Sequence, residues 1–176
     1  MQRARSIAIT VAGLAAALAA CSPALDWREV RPAGSGAALL LPCRPQALTR
    51  TVALAGRQVR LALHACSAAG QTWSLAFADV DDPAAVGPAL EALGRAAAAN
   101  IGAGVGSGLP LAVAGATPND ASRRVALVGR LPDGTAVQEQ VAVFTRGTRV
   151  FQATAIGPHL PDDGVDTFFG SVRLGP

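Results

Sequence analysis

The stretch that decides the fold lies between residues 58 and 80, where QVRLALHAC (Gln58–Cys66) is followed by TWSLAFADV (Thr72–Val80). In both segments large apolar side chains occupy every second position, and small or polar side chains lie between them. Successive side chains of a β-strand point to opposite faces of the sheet. The alternation therefore predicts two strands, each with one buried face.

The residues before this stretch predict more strands. Thr49–Leu54 is joined to Gln58 by the short turn Ala55-Gly56-Arg57, which predicts a β-hairpin. The apolar run Ala37–Leu41 ends at Pro42 and predicts a short first strand, because proline cannot donate to a sheet ladder. Three or four antiparallel strands are therefore expected before any helix.

The residues after this stretch predict a helix and then a second group of strands. Asp82-Pro83 is a typical helix start, and apolar residues recur at helical spacing from there to Asn100. Further strands are predicted at residues 125–131, 136–145 and 149–156, and a terminal helix follows Pro161. Segregated strands and helices predict an α+β fold, here an antiparallel sheet of about six strands with one central helix and one C-terminal helix packed on it.

The end of the chain adds a pattern of its own. The predicted strand Arg149–Thr154 is followed by Phe-Phe-Gly-Ser-Val-Arg-Leu at residues 168–174. Together with the order of strands and helices, these segments resemble the PsbP-like family, which includes an extrinsic photosystem II subunit, a Ran-binding nuclear import factor and many small bacterial lipoproteins. The resemblance spans about residues 37–174. It implies a binding or assembly role and carries over no catalytic residue.

The first 20 residues have the composition of an export signal. Arg3 and Arg5 precede an uncharged apolar run that is shorter than the roughly 20 residues needed to cross a bilayer. The run ends at Leu18-Ala19-Ala20-Cys21, which resembles the bacterial lipobox. The resemblance implies cleavage before Cys21 and its modification by three acyl chains, including an N-linked fatty acid such as palmitate. An ordinary signal-peptidase site ending at Ala19 is the alternative.

The predicted anchor divides the chain into a signal peptide (1–20), a tether (21–36) and a single α+β domain (37–176). Within the tether, Asp26–Val30 with Trp27 is expected to lie against the domain, because an indole gains little from a fully solvated segment. Multiple acyl chains hold a protein stably on a membrane. By the sorting rule of enteric lipoproteins, Ser22 after Cys21 favours the outer membrane, facing the periplasm, over the inner membrane.

The charge balance argues against a nucleic-acid-binding protein. All 15 basic residues of the 176-residue chain are arginines, and two of them lie in the predicted signal peptide. The remaining 13 arginines face 12 acidic residues, so the mature chain lacks a phosphate-binding charge surplus. The glycine-rich segment Gly102–Gly108 follows a predicted helix, whereas phosphate-binding glycine loops precede one. It is predicted to be a flexible surface loop, and no cofactor is expected.

Cys43 and Cys66 form an even pair once Cys21 is assigned to lipid. In an oxidising compartment such a pair predicts a disulfide, which would stabilise the fold by about 3 kcal/mol in the chain-entropy model. Two free buried thiols are one alternative. A metal site that includes His64 is the other, because His64 and Cys66 share a strand face, although no fourth ligand is evident.

His64 and His159 are the two histidines of the chain, so a Ser-His-Asp type of catalytic site would have to use one of them. His159 lies close in sequence to Asp162 and Asp163, but a histidine flanked by proline in a loop is typically solvated. Three carboxylates, Asp79, Asp81 and Asp82, suggest calcium but lack the glycine and distal glutamate of an EF-hand loop. The arginine pairs are predicted to be solvated: Arg57 with Arg60, and Arg123 with Arg124.

These observations predict a non-enzymatic, lipid-anchored protein that binds an envelope protein or assists assembly in the envelope. One alternative is an envelope hydrolase that uses His159 or His64. The other alternative is a carrier of a small apolar ligand between helix and sheet.

Overall fold

The structure, a computed structural model, describes residues 25–104, 106 and 108–175. Within these residues the chain forms ten β-strands and two α-helices. The strands are β1 (Arg28–Val30), β2 (Ala37–Leu41), β3 (Gln46–Leu54), β4 (Arg57–Ala68), β5 (Gln71–Asp79), β6 (Leu109–Pro110), β7 (Arg123–Arg130), β8 (Ala136–Arg146), β9 (Arg149–Gly157) and β10 (Arg173–Leu174). The helices are α1 (Val86–Asn100), which follows a 3-10 turn at Pro83–Ala85, and α2 (Asp162–Ser171).

Seven strands form the main sheet in the order β3-β4-β5-β9-β8-β7-β6, and every neighbouring pair is antiparallel. The predicted α+β class is confirmed. The prediction of about six strands is wrong, because a second, three-stranded sheet with the order β1-β2-β10 packs beside the main one. The strands that the sequence did not predict, β1 and β10 in this sheet and β6 in the main sheet, are two or three residues long, which is too short for an alternating pattern to reveal.

One face of the main sheet carries the aromatic side chains. All seven tryptophan and phenylalanine residues of the chain lie in or against this cluster, which we call the aromatic layer. Trp73 at its centre meets Trp27 and Phe168 edge to face, with ring centroids 5.5 and 5.3 Å apart. The three-stranded sheet and α2 cover this face, and Leu39, Leu41 and other residues of these elements complete the core there.

The buried part of the opposite face of the main sheet carries mainly aliphatic side chains and is covered by α1. Leu90, Leu93 and Ala97 on α1 pack against valines of β8 and β9, in a cluster that we call the aliphatic layer. Helix and sheet approach closely where α1 ends. A Cβ atom added at Gly129 would lie 2.1 Å from the carbonyl oxygen of Ile101, so only glycine fits there. The amide of Arg130 donates a 2.7 Å hydrogen bond to the same oxygen.

The segment predicted as a tether takes part in the fold. β1 pairs with β2, and Trp27 packs against the aromatic layer, so Asp26–Val30 lies against the domain as predicted. Arg149 on β9 links this segment to the main sheet, because it donates to the carbonyl oxygen of Gly34 and also pairs with Asp79. Residues 25–36 are therefore part of the folded unit rather than a free connection.

The helix start at Asp82 agrees with the sequence prediction. The Asp82 side chain accepts a hydrogen bond from the amide of Ala84 at 2.9 Å, and Pro83 occupies the first turn. This capping applies to the 3-10 turn that leads into α1. Among the described residues, no helix has the length and apolar character needed to span a membrane.

Candidate functional site

Cys43 and Cys66 form a disulfide bond, which confirms the pairing predicted from the sequence. The bond joins β4 to the segment that follows β2, and Cys66 lies in the aromatic layer. Both sulfur atoms are consumed by the bond, so the alternatives of two free thiols and of a metal site with His64 are not realised. No cluster of three or more histidine, cysteine or acidic side chains suited to a metal ion occurs among the described residues.

His64 lies half-buried on β4, with its ring stacked 6.2 Å from that of Phe77. Burial lowers the pKa of His64 below its ordinary value, which favours the neutral ring at neutral pH. The residue opposite His64 on β3 is Ala47, and the residue opposite it on β5 is Leu75. Neither neighbour can serve as a nucleophile or an acid, so the cross-strand surroundings of His64 are those of a packed side chain.

His159, Asp162 and Asp163 are all exposed near the start of α2. The backbone oxygen of His159 accepts a 3.2 Å hydrogen bond from the Gln71 side chain. The side chain of Asp163 accepts a hydrogen bond from the amide of Gly164, in the first turn of α2. Both aspartates lie where the helix dipole favours negative charge, which gives them a structural role.

The three neighbouring aspartates at the end of β5 do not converge on one point. Asp79 is paired with Arg149 through two hydrogen bonds of 2.7 Å, and Asp82 is paired with Arg57 at 2.8 Å. Asp81 has a positive φ of 57°, which fits a tight turn. Two of the three carboxylates therefore have cationic partners, and the group is used for the turn between β5 and α1.

The pair Arg123-Arg124 projects to opposite faces of β7. Arg124 lies over the ring of Phe169, 4.3 Å from its centroid, and donates to Gln140. Burial lowers the pKa of Arg124, against the opposing effect of Asp166. The prediction that both arginines are solvated is thus too simple, because Arg124 covers the edge of the aromatic layer.

Arg123, on the face of α1, lines a cavity of about 180 Å³ between that helix and strands β7 and β8. The cavity wall is mainly apolar, with polar groups from Glu91 and Arg95 at its rim. Its lining consists of Leu90, Glu91, Gly94, Arg95, Ala98, Gly106, Arg123, Val125, Leu127 and Val143. The cavity lies between helix and sheet, which is where the sequence-based alternative placed a small apolar ligand.

Glu139 is a buried carboxylic acid whose burial is not evident from the sequence. Its side chain is on the aliphatic face of β8, beside Leu127 on β7 and Ile156 on β9. The residue is 5% exposed, and its Oε2 has no hydrogen-bond partner among the described residues. Burial raises the pKa of Glu139 to about 7. Glu139 lies between Gln138 and Gln140, and three polar residues in a row are typical of a solvated segment. The sequence therefore does not indicate that Glu139 is buried.

The outer strand β3 of the main sheet is long and largely exposed. It is hydrogen-bonded to β4 along one side over nine residue pairs and has no strand on its other side in the described structure. Seven of its first eight residues are exposed on both faces of the sheet, and Leu48 is 53% exposed. Beside Leu48 is a surface groove of about 500 Å³, whose lining includes Arg44 and Leu63.

This exposed edge has a strongly basic setting. The sequence from residue 30 to residue 78 contains five arginines and no acidic residue. Arg44, Arg50 and Arg60 of this region are exposed, and no ion pair forms at any of the three within the described part of the chain. The free edge of β3 and these three arginines form the candidate functional site, which we call the β3 site.

The lipid-anchor prediction at Cys21 and the signal peptide before it lie outside the described residues. The predicted flexible loop, residues 102–108, is described only in part, because Val105 and Ser107 are also outside them.

Neither of two comparisons with known proteins identified a relative of this chain. A scan against protein-family models found no match, and a search of curated proteins found none with significant similarity. The functional argument therefore depends on the residues of this chain.

Proposed function

We propose that this chain is a lipoprotein of the outer membrane, anchored through acyl chains on Cys21 and facing the periplasm. Its α+β domain binds an envelope protein and has no catalytic role. The observation that carries the binding role is β3, a nine-residue strand that is paired on one side and exposed on both faces. Folded proteins usually cover, shorten or charge such an edge, because its free amides and carbonyls pair readily with another chain, and the nine residues of β3 include a single charge, Arg50.

The sequence pattern supports the anchor, and the fold is consistent with it. The disulfide between Cys43 and Cys66 fits an exported protein, because such bonds persist in oxidising compartments. The first described residues pack against the three-stranded sheet, and the backbone amide of Asp26 donates a hydrogen bond to the carbonyl oxygen of Pro42. Three residues, 22–24, separate Cys21 from Leu25, the first residue of the described structure, so the domain would be held close to the membrane surface.

We also propose that the domain is PsbP-like. Two groups of antiparallel strands separated by α1, with a second helix after the last long strand, support this assignment. It adds no catalytic residue, and it is compatible with a binding or assembly role.

Photo-crosslinking in cells tests the binding role. A photoreactive amino acid would be placed in the full chain at one exposed position at a time: at Thr51 on β3, at Val128 on β7, or at Glu91 on α1. We expect a discrete crosslinked product from Thr51, identified by mass spectrometry as an envelope protein. The absence of a product at all three positions would contradict a protein-binding function.

The anchor has its own test. The variant Cys21→Ser should accumulate as unprocessed precursor, because the lipid-modifying step requires the thiol. Mass spectrometry of the purified chain would show the intact signal peptide and no acyl chains. Cleavage of this variant to a mature, membrane-bound form would show that the lipobox assignment is wrong.

The hydrolase alternative is tested at the two histidines. The substitutions His64→Ala and His159→Ala should leave partner crosslinking and membrane anchoring intact. Loss of a hydrolytic activity on envelope material in either variant would favour the hydrolase alternative.

A second candidate function is supported by the cavity between α1 and the main sheet. Its volume of about 180 Å³ and its apolar lining match a small apolar molecule rather than a phospholipid acyl chain of full length. Extraction of the purified chain with organic solvent, followed by mass spectrometry, would detect such a ligand. The variant Gly94→Leu should exclude it by filling the cavity from the helix side, and Ala96→Leu on the exposed side of α1 serves as the matched control.

A further inference from the structure

The backbone groups that β3 offers at its free side follow from its hairpin. Ala55 and Gly56 both have positive φ, 47° and 79°, which is the geometry of a two-residue type I′ turn. In this turn Leu54 and Arg57 form a hydrogen-bonded pair, and hydrogen-bonded pairs alternate along an antiparallel ladder. The even-numbered residues of β3 therefore bond to β4. The amides and carbonyls of Ala47, Thr49, Thr51 and Ala53 point away from the sheet.

The side chains beside this edge define what could pair with it. Gln46, Leu48, Arg50 and Val52 lie on one face of β3, so an added strand would meet apolar, basic and apolar side chains at alternate positions on that face. On the other face Thr51 lies opposite the exposed Arg60 on β4. The groove that includes Leu48 and Leu63 continues the apolar surface inward from the edge.

A second copy of this chain is a poor occupant of the edge. Arg50 is the central residue of Gln46–Leu54, so symmetrical antiparallel pairing of two β3 strands would place Arg50 opposite the same residue of the other copy. Like charges directly opposite each other destabilise a strand pair. The absence of acidic residues from residue 30 to residue 78 leaves nothing nearby in sequence to neutralise them.

We propose that the β3 site binds an extended segment of a partner protein as an added strand, and that this segment carries an acidic residue opposite Arg50 with apolar residues two positions before and after it. This inference rests on the proposed binding function and specifies its surface and partner chemistry. Backbone hydrogen bonds to the outward groups of β3 supply affinity, and the side chains at alternate positions supply specificity. Arg44 and Arg60 extend the attraction to acidic residues at the flanks.

The test uses a synthetic nonapeptide with blocked termini and a fluorescent label. It alternates valine and threonine, with glutamate in place of the central valine, and its sequence reads identically in both directions. Binding to the full chain, purified in detergent micelles, is followed by fluorescence anisotropy. We expect the glutamate peptide to bind about tenfold more tightly than a peptide with lysine at the centre, because a cross-strand attraction is replaced by repulsion.

Variants of β3 separate backbone pairing from charge. Thr49→Pro removes an outward amide but leaves the ladder to β4 intact, because proline is tolerated on an edge strand where its nitrogen faces solvent. We expect this variant to lose at least tenfold in affinity, and the matched control Thr49→Val to bind as the original chain does. Arg50→Glu should reverse the preference in favour of the lysine peptide. Thermal unfolding of each variant checks that the fold is retained.

Three results would overturn the inference. One is the absence of binding by the glutamate peptide, and another is unchanged binding by both Thr49→Pro and Arg50→Glu. The third is a dimer of the full chain in analytical ultracentrifugation that Thr49→Pro dissociates, because the edge would then be occupied by a second copy.

The inference and the proposed function can fail separately. A partner that crosslinks from Val128 or Glu91 but not from Thr51 would leave the binding function in place and exclude the β3 site. Peptide binding that depends on Thr49 and Arg50, without any crosslinked partner in cells, would leave the edge chemistry in place and contradict the function.

Discussion

The two faces of the main sheet are built from different side chains, although they alternate along the same strands. The aromatic layer holds all the tryptophan and phenylalanine residues of the chain, and it is covered by short strands and the ten-residue helix α2. The aliphatic layer holds leucine, valine, isoleucine and alanine, and it is covered by the single longer helix α1.

The difference shows that the size of the side chains on each face of the sheet matches the shape of the elements that pack on it. Bulky rings fill the space beneath cover that is irregular and made from several chain segments. Small side chains on α1, such as Ala89 and Ala97, let one regular helix pack close to the sheet. Gly129 on β7 permits the same close approach to Ile101, just after the helix ends. The two layers should therefore respond differently to the removal and the addition of side-chain volume.

The largest effect is expected from Trp73→Ala in the aromatic layer. Trp73 is fully buried between Trp27 and Phe168, so its truncation leaves a cavity that surrounding rings cannot fill. The free energy of unfolding should fall by about 4 kcal/mol, as measured by urea denaturation. Trp73→Phe should cost less than half as much. A cost for Leu90→Ala in the aliphatic layer that exceeds the Trp73→Ala cost would contradict the ranking of the two layers.

The next largest effect is expected from the disulfide, which ties the cover of the aromatic layer to β4. Replacement of Cys43 and Cys66 by alanine should lower the free energy of unfolding by about 3 kcal/mol, because the unfolded chain gains freedom across 23 residues. Urea denaturation with and without reductant measures this. Reductant should destabilise the unmodified chain to the same degree and leave the double variant unchanged.

Glu139 is the exception within the aliphatic layer, and it should make stability depend on pH. Burial raises its pKa to about 7, so between pH 4.5 and 7 the folded state binds more protons than the unfolded state. The free energy of unfolding should therefore decrease as pH rises through this window, by about 2 kcal/mol after allowance for solvent screening. Denaturation at pH 5 and pH 8 measures the difference.

The variant Glu139→Gln isolates this contribution, because its side chain has a similar shape and does not titrate. Its stability should vary less between pH 5 and pH 8 than that of the unmodified chain. Glu91→Gln, at an exposed position of α1, is the matched control and should leave the pH dependence unchanged. An unchanged pH dependence in Glu139→Gln would show that Glu139 is not the responsible group.

The smallest effect is expected from added volume in the aliphatic layer. Ala89 on α1 is 1% exposed, so Ala89→Leu should push the helix away from the sheet and cost about 1.5 kcal/mol. Ala96→Leu, on the exposed side of the same helix, should change the unfolding free energy little. Equal effects of the two substitutions would mean that α1 does not pack as closely as described.

Much of this architecture could be predicted from the sequence, because long strands and amphipathic helices leave a periodic signal. The alternation in Thr72–Val80 predicted β5, and the spacing of apolar residues before Asn100 predicted α1. The pairing of β2 with β1 and β10 left no such signal, since β1 and β10, at three and two residues, do not complete a pattern.

The candidate site was less predictable than the fold. Cys43 and Cys66 could be paired by elimination, and the disulfide confirms them. Arg50 was visible in the sequence, but its place at the centre of an unpaired edge depends on the strand order, which local patterns do not determine. The burial of Glu139 depends in the same way on strands distant in sequence, because its neighbours Leu127 and Ile156 come from β7 and β9.

The disulfide also has a mechanical consequence. With Cys21 held in a membrane, as proposed, a pulling force on the domain would enter through β1 and β2 and reach Cys43. From there the S–S bond passes the force directly to Cys66 in β4. For a load applied beyond Cys66, this covalent path bypasses the chain between the two cysteines, which contains all of β3. Such a load on the tether would not pull on the chain ends of β3.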